Sequence, residues 1–162
     1  MNRVNQILSH PRYRQALEKT ELLEKDREFC RHNMTHFLDV ARIAYIHCLE
    51  QGMDVKKDVV YGAALLHDIG RYQQYEAGIP HETASARLAQ EILPQCSYSE
   101  EEQRQIQEAV LGHRRKDKKQ QESLGLGGLL YQADKQSRNC FVCSAREACN
   151  WPKDKMNEGI QD

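Results

Sequence analysis

Residues 63–71 read AALLHDIGR, and the placement of His67 and Asp68 in that stretch decides how the chain folds. The pair directly follows the apolar run VVYGAALL at residues 59–66. A helix that apolar belongs inside the protein. An imidazole and a carboxylate buried with it each need a polar partner, because an unpaired buried polar group is costly. A metal ion satisfies both. Further candidate ligands stand at His36, His81, His113 and Asp134. All six offer nitrogen or oxygen, a donor set for a borderline or hard divalent ion such as iron, manganese, zinc, cobalt, nickel or magnesium.

A chain of 162 residues predicts one domain, long enough to bury a core without disulfides. A 40% hydrophobic and 29% charged composition is that of a soluble globular protein. The net charge of −1 provides no global field toward nucleic acid or membrane, so any grip on phosphate must be local. No apolar run approaches the ~18 residues of a membrane span. The opening MNRVNQILSHPRYRQ lacks the apolar core of a secretory signal. The expected location is the cytoplasm, where cysteines are reduced thiols or metal ligands.

Helical spacing dominates and no alternating strand pattern occurs, so the expected class is all-α. Residues 4–23 read as one or two short helices punctuated by Pro11. Thr35 is the expected N-cap of a helix from His36 to about Glu50, closed by Gly52. The apolar central helix runs from Lys56 to about His67. Pro80 fits the first position of the next helix, and Ser99 caps another that ends near Gly112. Residues 114–128 read as a polar, lysine-rich loop ending in glycines. A last helix starts at Leu129 and reaches Arg138, and the final dozen residues are expected to be loosely held.

These helices give the candidate ligands inward positions. His36 shares a stripe with Val40, Ile43 and His47; His113 continues the stripe of Ile106 and Val110. Asp134 falls four residues after Leu130, and Arg138 four after Asp134. A guanidinium beside such a carboxylate can grip a phosphate oxygen. His10, His32 and His47 read as ordinary histidines, although His32, four residues before His36, competes with it as a ligand.

In its order, the set His36, His67–Asp68 and Asp134 resembles the HD-domain metal-dependent phosphohydrolases, over roughly residues 28–138. His36 matches better than His32 because HFLDVARIA follows it directly. The resemblance implies an HD-domain helical bundle with a cysteine-containing extension at residues 139–162. His81 in GIPHETAS and His113 in AVLGHRR resemble the subset of that family that binds two metals. In that subset, the resemblance implies His36, His67, Asp68 and Asp134 on one metal, His81 and His113 on the second, and Asp68 shared by both. It favours iron or manganese. The segments HDIGR and ADKQSR are similar to those of bacterial dinucleoside tetraphosphate hydrolases.

Paired metals would activate water for in-line attack on phosphorus. The expected substrate is a small phosphorylated molecule, with a nucleotide first. Arg71 and Arg138 are the leading phosphate contacts. Lys135 is assigned to another helix face and ranks lower, while Arg114 and Arg115 could cap the pocket. The loop at residues 116–128 reads as a lid or a plain linker. The same ligands also serve HD-type di-iron oxygenases of polyols and phosphonates, the alternative chemistry. A short chain and the arginines after His67 and Asp134 favour phosphate cleavage. The intact ligand set argues against a non-catalytic domain, and the absence of a basic surface argues against long RNA.

Cys140, Cys143 and Cys149 form C-x-x-C followed by a third cysteine. Three thiols leave a tetrahedral site one ligand short, and Cys30 is the expected fourth. A structural zinc or an iron–sulfur cluster would tie the C-terminus to the domain; the alternative is reduced thiols packed under Trp151. Cys48 and Cys96 read as isolated thiols.

Overall fold

The computed structural model describes residues 1–114 and 125–160. Its elements are helical: α1 (Asn2–Ser9), α2 (Pro11–Leu23), α3 (Met34–Glu50), α4 (Lys57–Leu66), α5 (Arg71–Ala77), α6 (His81–Ile92), α7 (Glu100–Gly112) and α8 (Leu126–Gln136). Single 3-10 turns follow at Leu93–Cys96, Cys140–Val142 and Lys153–Lys155. Among the described residues no strand occurs, in agreement with the all-α class, and no helix is long and apolar enough to cross a membrane.

The apolar helix α4 is the axis of the packing. α3, α7, α1 and α6 lie against it, α8 packs on α3 and α7, and α5 and α6 pack together. Val59, Val60, Ala63, Ala64, Leu65 and Leu66 have at most 1% of their surface exposed. Full burial of a Val or Leu side chain contributes ~1.5–3 kcal/mol, so α4 alone anchors much of the core. Across the bundle, Phe37 and Val40 of α3, Ile106 and Val110 of α7 and Leu130 of α8 meet it fully buried.

A polar clamp joins the N-terminus to this core. The Arg3 guanidinium donates to Asp58 at 2.7 Å and to Glu102, Lys56 reaches Glu102 at 2.9 Å, and Arg3 stacks 4.4 Å above the Tyr98 ring. Glu102 also completes the capping box of Ser99 at the start of α7.

At Gly70 the chain passes so close to α6 that a Cβ there would lie 2.4 Å from the Ser85 nitrogen and 2.6 Å from the Ala84 carbonyl carbon. The Gly70 amide also donates to Ser85 Oγ at 2.9 Å, both groups being buried. This contact holds the start of α6 over the His67–Asp68 turn.

Three expectations need correction, and one helix, α5, was not foreseen. α3 is capped by Asn33, whose side chain accepts from the His36 amide at 3.1 Å, and not by Thr35. α5 carries a single buried residue, Tyr72, too little to register as a period. α8 starts at Leu126 rather than Leu129, because Leu126, Leu129 and Leu130 are all buried and offset the weak helix propensity of Gly127 and Gly128. The C-terminal residues through 157 are held: Met156 is buried, and Asn157 donates to the Lys135 and Arg138 carbonyls at 2.8 Å. Arg115 and most of the loop at residues 116–128 lie outside the described residues.

Candidate metal centre

Five helices deliver the six candidate ligands to one buried volume. His36 stands in the first turn of α3, His67 and Asp68 follow α4, His81 opens α6, His113 follows α7, and Asp134 lies in the last turn of α8. Asp68 is central. Its Oδ1 lies 3.2 Å from His81 Nε2 and 3.6 Å from His113 Nε2, and its Oδ2 lies 3.6 Å from His67 Nε2. His36 Nε2 stands 3.7 Å from Asp134 Oδ1. Two sets therefore close to within 4.8 Å: His36, His67, Asp68 and Asp134, and Asp68, His81 and His113. Asp68 belongs to both.

The histidines are oriented by their other nitrogen. His67 Nδ1 bonds the Ala64 carbonyl at 2.6 Å and His113 Nδ1 the Val110 carbonyl at 2.5 Å. His81 Nδ1 bonds Gln74 Oε1 at 2.6 Å. A carbonyl only accepts, so each Nδ1 is assigned the proton and each Nε2 carries a lone pair into the site. The Nε2 atoms of His36, His67, His81 and His113, together with Asp68 Oδ1, are buried without a hydrogen-bond partner. Five orphaned acceptors facing one volume are the arrangement a divalent ion satisfies, and the imidazole–carbonyl pairs are the outer support such ligands need.

The electrostatics agree with neutral imidazoles. Burial pushes His36 down to about 4 and His81 down to about 3, and it also lowers His67. Burial alone would raise Asp68, but His67 and Arg71 beside it hold it well below the usual carboxylate range. Asp134 is likewise held low against its burial by Lys135, among other neighbours. His36, His67 and His81 are thus neutral and the two carboxylates ionised at neutral pH, the protonation states that bind metal.

Cationic groups rim this volume. Arg71 Nη2 donates to Asp68 Oδ2 at 3.1 Å, and its Nε is buried without a partner. Arg138 reaches Asp134 Oδ2 at 3.4 Å and stacks 4.0 Å above the Trp151 ring. Lys135 does not point away: its chain curls back to place Nζ 2.6 Å from Asp134 Oδ2. Arg114 is exposed, yet close enough to depress both His81 and Lys135.

Sequence reasoning set His32 aside, and the structure brings it in. Its Nε2 lies 3.4 Å from Asp68 Oδ2 and 2.9 Å from Arg71 Nη2. Its Nδ1 bonds Glu24 at 2.6 Å, and Tyr75 Oη donates to the same carboxylate at 2.5 Å. Its spacing of four from His36 was the available signal. Glu24 and Tyr75, which orient it, come from separate elements. His47, by contrast, is turned away to Gln136 at 2.5 Å. Cys30, Cys140, Cys143 and Cys149 line one cavity beside this centre, with Arg138 and Arg146.

The chain belongs to the HD domain family, whose model matches residues 33–144. It is 46% identical over 157 residues to an uncharacterized protein of Clostridium beijerinckii, covering 97% of each chain. Its fold is similar to the crystal structure of a "predicted HD superfamily hydrolase" from an uncultured Thermotogales bacterium, with a TM-score of 0.62 and 22% identity over 88% of this chain and 79% of that one.

Proposed function

We propose that this chain is a metal-dependent phosphohydrolase that cleaves a phosphate ester or anhydride of a small phosphorylated molecule, with nucleotides as the leading class. The observation that carries the reading is the set of four imidazole Nε2 atoms and Asp68 Oδ1 left without partners around one buried volume. His36, His67, Asp68 and Asp134 would hold one divalent ion; Asp68, His81 and His113 would hold a second. Such ions supply Lewis acidity toward phosphoryl oxygens and acidify water. Iron and manganese suit this nitrogen and oxygen set.

The remaining chemistry falls to the protein's own groups. Arg71, with an unpaired buried Nε, is placed to bind a phosphoryl oxygen beside Asp68. Lys135 and Arg138 bring positive charge to the Asp134 side, and Arg114 stands at the exposed edge. His32 accepts from the Arg71 guanidinium through Nε2 and so helps to aim Arg71, with Glu24 fixing the ring from behind through Nδ1. The resemblance to dinucleoside tetraphosphate hydrolases makes nucleoside polyphosphates the first substrates to try.

The test is anaerobic reconstitution with Mn²⁺ or Fe²⁺ and a panel of mono-, di- and polyphosphorylated nucleosides, read by phosphate release. Metal-dependent release without oxygen, lost on Asp68→Ala with the fold retained, is the expected result. Oxygen uptake on a polyol or phosphonate, with no phosphate released from any member of the panel, would overturn the hydrolase reading in favour of an HD-type oxygenase.

A further inference from the structure

We propose that Cys30, Cys140, Cys143 and Cys149 together hold a [4Fe–4S] cluster, separate from the His/Asp centre. The four residues are far apart in sequence, yet all line one cavity of about 410 Å³ between the segment before α3 and the segment after α8. Cys30 is near enough to feel the charges of the other three. The donors are soft thiols, whereas the neighbouring centre offers only nitrogen and oxygen, so the two sites select different metals.

Their spacing is looser than that of a closed single-ion site. Among the described residues, the ligand sets that close to within 4.8 Å are the two His/Asp sets, and no three of these four sulfurs form such a set. A single tetrahedral zinc ion at ~2.3 Å from each sulfur draws them to within ~4 Å of one another. A cubane cluster gives one thiolate to each of four irons and spans a wider ring. Ligation releases the thiol protons, and the resulting negative charge is met by Arg138 and Arg146 on the cavity wall.

The segment has little regular structure of its own. Residues 139–155 form isolated turns, with Phe141 37% and Val142 73% exposed. Hydrogen bonds at 3.2–3.3 Å from the Cys143, Arg146 and Cys149 amides wind the chain so that the three cysteines share one side. A cluster here would staple the segment leading to His36 to the segment leaving Asp134.

The full chain, purified without oxygen and reconstituted with equal parts of ferrous and ferric iron and with sulfide, is the sample to analyse. Iron, zinc, acid-labile sulfide and visible absorption should be measured on wild type, Cys143→Ser and Asp68→Ala. The expected result is about four labile sulfides per chain with broad visible absorption. Asp68→Ala should keep both; Cys143→Ser should lose both while retaining metal at the His/Asp centre. Zinc bound to wild type without labile sulfide, and lost in Cys143→Ser, would overturn the cluster in favour of a mononuclear thiolate site. No sulfide and no change in total metal in Cys143→Ser would overturn any metal there. Should Cys143→Ser fail to fold, wild type alone decides: Cys48 and Cys96 are buried in any case, so the test reads Cys30, Cys140, Cys143 and Cys149, which should resist alkylation until the cluster is destroyed by acid; their immediate reaction would refute it.

Discussion

Gly70→Ala probes the contact that sets the metal centre's geometry. The new methyl would sit 2.4 Å from the Ser85 nitrogen and 2.6 Å from the Ala84 carbonyl carbon, where ordinary contacts are ~3.5–4 Å. Both neighbours are backbone atoms of α6, so the helix must retreat by roughly 1 Å rather than rotate a side chain aside. Overpacking of this kind costs ~1–3 kcal/mol. Retreat also strains the Gly70–Ser85 hydrogen bond, worth ~1 kcal/mol. A loss of about 3 kcal/mol lowers Tm by ~6–12 °C in a domain of this size. Because His81 opens α6, the same retreat opens its 3.2 Å approach to Asp68, so Mn²⁺ stoichiometry should fall toward one. Ser85→Ala removes the hydroxyl without the clash and should keep both ions. Thermal unfolding with and without Mn²⁺, alongside calorimetric titration, reads both effects. A Gly70→Ala protein with wild-type Tm and two bound ions would refute this account of how α6 is held.

Mn²⁺ at a hundredfold excess over its Kd should stabilise the wild type by ~2.7 kcal/mol for each ion bound, and Asp68→Asn should abolish most of that gain; a full Mn²⁺ shift in the variant would move the site elsewhere. Burial keeps His36 at about 4 and His81 at about 3, so these two imidazoles take up protons only at strongly acidic pH. Their ring resonances, followed by NMR in the metal-free protein, should show no protonation between pH 8 and about 5, and a midpoint for either near the ordinary histidine value of ~6.5 would contradict this. Glu102 is held at about 2 by Arg3, so its contribution to folding is complete above its ordinary value of 4.5 and disappears as pH falls from there to about 2. Glu102→Gln should cost about 2 kcal/mol at neutral pH and remove that part of the acid sensitivity, checked by urea unfolding at pH 7 and pH 3.

The all-helical class was legible because α4, α6 and α7 each carry a regular apolar face together with a recognisable start or stop. The inward placement of His36, His113 and Asp134 also followed from spacing, which fixes where a Cα–Cβ bond points. What spacing cannot fix is where a long side chain ends. Lys135 leaves its helix on a different face from Asp134, yet its four methylenes carry the ammonium back to that carboxylate. His32 was unreadable for another reason. It lies outside any helix, and the groups that orient it, Glu24 and Tyr75, are 8 residues and 43 residues away. Its meaning exists only once α2, α5 and the start of α3 meet. The same holds for Asn157, whose three carbonyl partners make the C-terminal segment part of the fold.

Helix polarity adds a reason why these particular positions carry the ligands. His67 and His113 are the C-cap residues of α4 and α7, and each ring bonds the carbonyl three residues back, a group that a helix end leaves unsatisfied. One hydrogen bond thus closes the helix and turns Nε2 toward the site. Two helix C-termini also place partial negative charge beside the ligands, worth ~0.3–1 kcal/mol each to a nearby cation. The two remaining histidines, His36 and His81, stand in the first turns of α3 and α6, whose partial charge is positive. The centre therefore sits between helix ends of both polarities. C-termini favour the metals, and N-termini favour an anion brought in with them. A phosphorylated substrate matches that field on both sides; a neutral polyol uses only half of it.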